Sequence, residues 1–216
     1  MRPVQLSLSP DNLVHDPDNL VDHIDRYLWL TVPRRATQRP LQGERSIQPL
    51  RSFLFAPGNH PRRVQNALTL DADAVILDLE DAVAIAEKRA GRDAVVAALS
   101  QPRRALIYIR VNAIDTEFCY GDLAAIVRPG LDGVILPKAE AANGLATVDW
   151  LLAQLEREHA LAPRSIDLIP IVETARGLIQ IDSMLAAGTR VKRVAFGAGI
   201  AGRCARRAVS TRSCNA

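Results

Sequence analysis

The chain is poor in cysteine and in aromatic residues, and it lacks any long apolar run. Cys119, Cys204 and Cys214 are too few and too scattered for a disulfide framework or a CxxC zinc site, and an odd count fits reduced thiols. No apolar stretch approaches the roughly 20 residues of a membrane-spanning helix. Asp11, Asp16, Asp18, Asp22 and Asp25 near the start oppose a secretory or transit peptide, so a cytoplasmic location without membrane attachment is expected. No GxGxxG or GxxxxGK[ST] follows the first strand-like segment, which removes the usual support for dinucleotide and P-loop readings. Nor is there a distributed basic excess. The 27 Lys plus Arg against 24 Asp plus Glu become 23 against 24 without Arg203, Arg206, Arg207 and Arg212 of the tail. A basic surplus confined to a short tail without aromatics argues against nucleic acid as a partner.

What remains is an ordinary globular composition, 48% apolar and 24% charged over 216 residues, which excludes disorder and low-complexity fibres. Residues 1–50 stand apart: Pro3, Pro10, Pro17, Pro33, Pro40 and Pro49 punctuate them, and Leu28-Trp29-Leu30 follows an Asp-rich stretch. They read as an irregular extension with one short helix near Leu20 to Leu30. From Arg51 onward, apolar runs of strand length alternate with stretches of helical period, the pattern of βα units on a parallel sheet. The strand candidates are Ser52 to Ala56, Ala74 to Leu79, Ala105 to Val111, Gly133 to Leu136, Ile166 to Val172 and Val191 to Phe196. Helices are expected near Arg62 to Thr69, Ala82 to Leu99, Leu123 to Val127, Asn143 to His159 and Thr174 to Ala187. This rhythm suits a (β/α) barrel or an open doubly wound sheet, and periodicity alone does not separate them.

The residues that close each strand carry the chemistry. Successive runs end on Pro57-Gly58, on Asp78 with Glu80-Asp81, on Arg110 and Asn112, on Pro137-Lys138, and on Glu173-Thr174. The carboxyl ends of parallel strands share one face, so these groups converge on one cleft. For several of them a plain structural alternative stands beside the functional one. Glu173-Thr174 and Glu80-Asp81 precede helical stretches and suit helix caps; Arg110 suits a strand-end ion pair; Pro57-Gly58 is turn chemistry; Lys138 also suits a Schiff-base aldolase of another class. His60 has no evident partner and reads as surface.

Five segments in order, RSFLFAPG (51–58), ADAVILDLEDAV (72–83), IRVN (109–112), DGVILPK (132–138) and PIVETARGL (170–178), resemble the citrate lyase β-subunit and malyl-CoA lyase family of the HpcH/HpaI aldolase superfamily. The resemblance implies a (β/α)8 TIM-type barrel that uses Mg2+ to cleave or form a carbon-carbon bond in short 3-hydroxyacyl thioesters such as citryl-, malyl- or citramalyl-CoA. The implied partners are an acyl-CoA or acyl-carrier thioester and a short keto acid, and family members assemble as homo-oligomers. Arg110 takes the role of binding the keto acid, for which a planar bidentate cation is suited. Glu80 and Asp81 stand as candidate catalytic carboxylates. Arg51, Gly58 and Lys138 are expected at the substrate, and Glu173 as a metal ligand.

The second metal ligand of the family is the Asp of an FGxxD motif, and the corresponding Phe196-Gly197-Ala198-Gly199-Ile200 puts Ile200 there. An isoleucine offers no side-chain oxygen, so weakened Mg2+ binding and at most weak lyase activity are expected. Residues 200–216 lose the family pattern, as a frameshift or premature stop produces. The sequence thus divides into an extension (1–50), a partial barrel of about six of eight βα units (51–199) and a divergent tail (200–216). On this reading the first and sixth strands are left as unpaired apolar edges. The competing class is a non-catalytic, truncated remnant that at most docks on an intact family subunit.

Overall fold

The computed structural model describes residues 27–31, 50–187 and 189–197. Among the described residues seven strands form one sheet in the order β1-β7-β6-β5-β4-β3-β2. They are β1 (Tyr27–Thr31), β2 (Phe53–Pro57), β3 (Ala74–Asp78), β4 (Leu106–Arg110), β5 (Gly133–Leu136), β6 (Asp167–Val172) and β7 (Arg193–Gly197). The six from β2 to β7 run parallel, each beside its sequence neighbour. Helices α1 (Pro61–Thr69), α2 (Lys88–Ala98), α3 (Cys119–Ile126), α4 (Ala142–Glu158), α5 (Ala175–Ile179) and α6 (Ile181–Ala186) fill the connections. This is an α/β half-barrel, a TIM-like barrel in incomplete form.

The period of two along each strand sorts side chains into two apolar layers. Leu54, Ala56, Val75, Leu77, Ile107, Ile109, Val134, Leu136 and Leu168 belong to the cluster that also holds the helix residues Val64, Val95, Leu123 and Leu152. Phe53, Phe55, Ala74, Ile76, Tyr108, Ile135, Ile169, Ile171 and Ala195 form the other, inside the curl. Continuing the inner parity toward the carboxyl ends reaches Asp78, Arg110 and Glu173. The register then aligns Pro57 with Asp78 and Asp78 with Arg110. Continuing it the other way reaches Tyr108, Asp167 and Arg193. There the Tyr108 hydroxyl donates to Asp167 Oδ2 (3.1 Å) and Arg193 Nη1 donates to the same oxygen (2.6 Å), closing the opposite end of the curl with polar groups.

Three expectations are corrected. The helix near Leu20 to Leu30 is, over its described part, a strand: β1 pairs antiparallel with β7 in the register Tyr27↔Gly197 to Thr31↔Arg193. Residues 20–26 lie outside the described residues. Tyr, Trp and Thr suit a pleated edge, and an available ladder overrides a short local helical pattern. The sixth barrel strand is therefore not a bare edge, since β1 covers it. Finally, the helix expected from Ala82 begins at Lys88, after a single 3-10 turn at Ile85–Glu87. Residues 80–82 are held by the strand-end carboxylate Asp78, which accepts Glu80 N–H (2.8 Å) and Ala82 N–H (3.0 Å).

Candidate active site

The rim at the carboxyl ends of β3, β4, β5 and β6 gathers most of the residues expected there. Arg110 ends β4 and is buried; its Nε and Nη2 donate to the two oxygens of Asp78 at 2.7 and 2.6 Å. This bidentate fork fixes the plane of the guanidinium. Its Nη1 lies 3.2 Å from Glu80 Oε2 and 3.9 Å from Asp81 Oδ2. The Phe55 ring lies 5.2 Å below the guanidinium carbon, a cation-π seat provided by β2.

Lys138, just beyond β5, joins the cluster from the other side. Its ammonium donates to Glu80 Oε1 at 2.8 Å, so Glu80 bridges the two cations. The backbone of Lys138 has φ +51°, the left-handed region that a residue with a Cβ occupies at some cost. That turn aims its N–H at Glu173 Oε1, 2.9 Å away. Burial pushes the Glu80 carboxyl above the ordinary carboxylate range, against the pull of Lys138 and Arg110. The hydrogen bond to Glu80 raises Lys138, holding its ammonium charged.

The capping alternatives separate cleanly here. Thr174, not Glu173, caps α5, its Oγ1 accepting from Gly177 N at 3.0 Å. Glu80 and Asp81 sit well before α2, whose N-cap is Glu87. Glu80 is buried between cations, whereas the Asp81 side chain is 66% exposed.

Two residues expected at the substrate are placed differently. Arg51 precedes the amino end of β2, the far end of the strand from the rim, where its N–H donates to Asp73 Oδ2 at 2.6 Å. Its side chain is largely exposed and pairs with the same Asp73 at 3.4 Å. The structure does not bring Arg51 to the cluster. Gly58 is at the correct end, but it serves packing: a Cβ there would lie 2.6 Å from Val95 Cγ1 and 2.8 Å from Asp78 O. Its N–H donates to that same carbonyl at 2.8 Å. Ile200 lies outside the described residues.

Sequence reasoning counted Asp78 among the converging strand-end groups but missed its role as the carboxylate that orients Arg110. It also missed the pair behind Asn112: Asp122 accepts Asn112 N–H (3.0 Å) and Nδ2 (2.7 Å), and is itself held by Arg92 Nε (3.0 Å). Cys119 on α3 is buried, which pushes its thiol up to about 11 and leaves it an unreactive packing group.

Among the described residues no group of three His, Cys, Asp or Glu side chains is placed to hold a metal ion together. Mg2+, however, keeps several waters and takes one or two carboxylates plus substrate oxygens. Glu173 is a hard carboxylate on the inner row at this rim, so the donor chemistry fits such an ion.

The structure is thus a parallel half-barrel with a guanidinium fixed among carboxylates at its carboxyl rim. Residues 51–199 match the family model described as HpcH/HpaI aldolase/citrate lyase, and the chain belongs to that family. Citrate lyase subunit beta of Escherichia coli (strain K12) is 35% identical over 157 residues, covering 72% of this chain and 52% of the relative. An L-malyl-CoA/beta-methylmalyl-CoA lyase of Cereibacter sphaeroides (strain ATCC 17029 / ATH 2.4.9) is 30% identical over 164 residues, covering 73% of this chain and 51% of the relative. The chain spans about half the length of the curated relatives it matches. Among solved structures, the citrate lyase beta subunit from M. tuberculosis complexed with oxaloacetate and magnesium is similar, with TM-score 0.50 and 38% identity over 63% of this chain and 53% of that one.

Proposed function

We propose that this chain binds a short α-keto acid such as oxaloacetate at Arg110 and takes part in Mg2+-assisted cleavage or formation of a 3-hydroxyacyl thioester of the citryl, malyl or citramalyl class. The observation that carries the reading is the Arg110 guanidinium, buried at the inner rim and oriented by Asp78. A planar cation held in one orientation recognises the carboxylate and keto oxygens of such an acid by paired hydrogen bonds. The similar citrate lyase beta subunit bound to oxaloacetate and magnesium supports the ligand class.

In the cleavage direction the 3-hydroxyl loses its proton, the adjacent carbon-carbon bond breaks, and its electron pair passes to the thioester as an enolate. The keto acid departs, and the enolate carbon is then protonated. Arg110 holds the oxygens that become the keto acid. In this reading Glu80 carries the proton, a role supported by its burial between Arg110 and Lys138, and Lys138 stabilises its charged form. Glu173, with substrate oxygens and water, would hold Mg2+, which when bound supplies Lewis acidity at the keto-acid oxygens. Because position 200 holds Ile, that binding is weakened and turnover is at most slow.

Calorimetric titration of oxaloacetate into the full chain with Mg2+ tests this. R110K, which keeps the charge and loses the fork, is expected to weaken binding at least about tenfold. Equal affinity in R110K overturns the reading. Ile200 also favours a second reading, a non-catalytic chain that docks on an intact family subunit. Keto-acid binding without turnover of malyl-CoA or citryl-CoA, together with complex formation with an intact subunit, is its outcome.

A further inference from the structure

Lys88 stands where two rules oppose it. It is the first residue of α2, where the helix dipole disfavours a cation, and it is buried, where an ammonium loses its hydration. What it touches are carbonyls: Nζ donates to Leu79 O at 2.7 Å and to Glu80 O at 2.6 Å. The N–H groups of the same two residues are also engaged, Leu79 with Arg110 O at 2.9 Å and Glu80 with Asp78 Oδ1 at 2.8 Å. All four backbone polar groups of Leu79-Glu80 are therefore tied, two of them by one ammonium. The surrounding carboxylates of Asp78, Glu80, Asp122 and Asp81 hold that ammonium charged against a burial that lowers its pKa.

We propose that Lys88 is a positioning residue: by pinning both carbonyls of Leu79-Glu80 from the helix layer, it sets the point from which the Glu80 carboxylate bridges Arg110 and Lys138. The backbone of residue 80 is the only covalent route to its carboxylate, and without the ammonium two buried carbonyls lose a charged donor. The loop then relaxes toward water, and the Glu80 carboxylate retreats from the guanidinium. The consequence for catalysis rests on the lyase reading; the placement of Glu80 does not.

The test is a double-mutant cycle read without ligand, on the guanidinium 15N–1H resonances of Arg110 in the labelled full chain. E80Q removes the carboxylate and gives the reference displacement. K88M is expected to displace the same resonances by at least about half as much, to add little in the E80Q background, and to be reversed by K88R. A merely structural role displaces them equally with and without Glu80. Wild-type resonances in K88M, or an equal displacement in both backgrounds, overturn the proposal. Should K88M not fold, K88Q, a neutral donor, is read in the same way, and failure of all three variants to fold also overturns it by making Lys88 a residue of stability alone. Oxaloacetate titrated into the wild type is read separately: absence of binding with the Arg110 coupling intact counts against the lyase reading and leaves the positioning role standing.

Discussion

Arg110 and Asp78 show how much of this rim is one buried ion pair. Each has lost most of its hydration, and the fork between them restores it only while both are present. Asp78→Asn is expected to cost about 3 kcal/mol, the lower part of the range for breaking a buried pair, because Glu80 still faces the cation; urea denaturation measures it. Glu80 has the opposite pH signature from an ordinary ion-paired acid. Its folded carboxyl titrates above 4.5, so the native state holds the proton more tightly, and its contribution to stability falls as pH rises from about there to its raised value. E80Q removes that slope, which a series of urea midpoints across this window would show; an unchanged slope would place the proton elsewhere. Asp73, lowered by the N–H and guanidinium of Arg51, works the other way, adding stability that is lost as pH falls below 3.8. Arg110, Glu80, Lys138 and Glu173 were legible from sequence because each follows an apolar strand. Arg51 misled because it flanks the same kind of strand at its other end, and Lys88 left no signal because its partners are carbonyls.

Elements were legible wherever the apolar period was long, and less so where a tertiary contact decides. The parallel strands fall within two residues of expectation, but α2 starts late because Asp78 holds the preceding loop, and the stretch after Glu173 breaks at Gln180 into α5 and α6. At Gly58 the β2–α1 turn meets α2 so closely that a methyl group collides with Val95 and with Asp78 O. Gly58→Ala is expected to destabilise by about 1–3 kcal/mol, the cost of overpacking, with a shift in the thermal midpoint as the readout. β1 was hidden because it stands in the proline-punctuated extension outside the βα rhythm, and its partner is more than 160 residues away in the chain. Prolines at Trp29 and Leu30 together must remove at least one ladder donor, since adjacent residues of an antiparallel strand alternate in bonding. Hydrogen exchange is expected to speed up in Arg193–Gly197 and to stay unchanged in β3 and β4; unchanged protection of β7 would deny the pairing.

At the scale of the molecule, the parallel strands give the half-barrel a direction: polar groups that close the curl at one end, and at the other a rim of charges around Arg110. The inner parity that points Asp78, Arg110 and Glu173 to that rim is a property of the whole sheet, which is why the site could be anticipated as a set rather than residue by residue. On the proposed metal role of Glu173, the resemblance expects Asp where Phe196-Gly197-Ala198-Gly199-Ile200 ends on Ile200, so the proposal leaves a hard cation at Glu173 without that second carboxylate. Neighbouring parallel strands lie about 4.8 Å apart, a spacing across which two carboxylates grip one small ion. On that proposal Ile200→Asp adds an oxygen donor. Its expected effect is tighter Mg2+ binding by at least about tenfold, the scale of one charged ligand, measured by isothermal titration with the ion alone. The gain should vanish in the double variant with E173Q, because either carboxylate by itself leaves the ion to water. Equal Mg2+ affinity in the wild type and in Ile200→Asp would remove Glu173 from the role of metal ligand, and with it the metal-assisted form of the lyase reading.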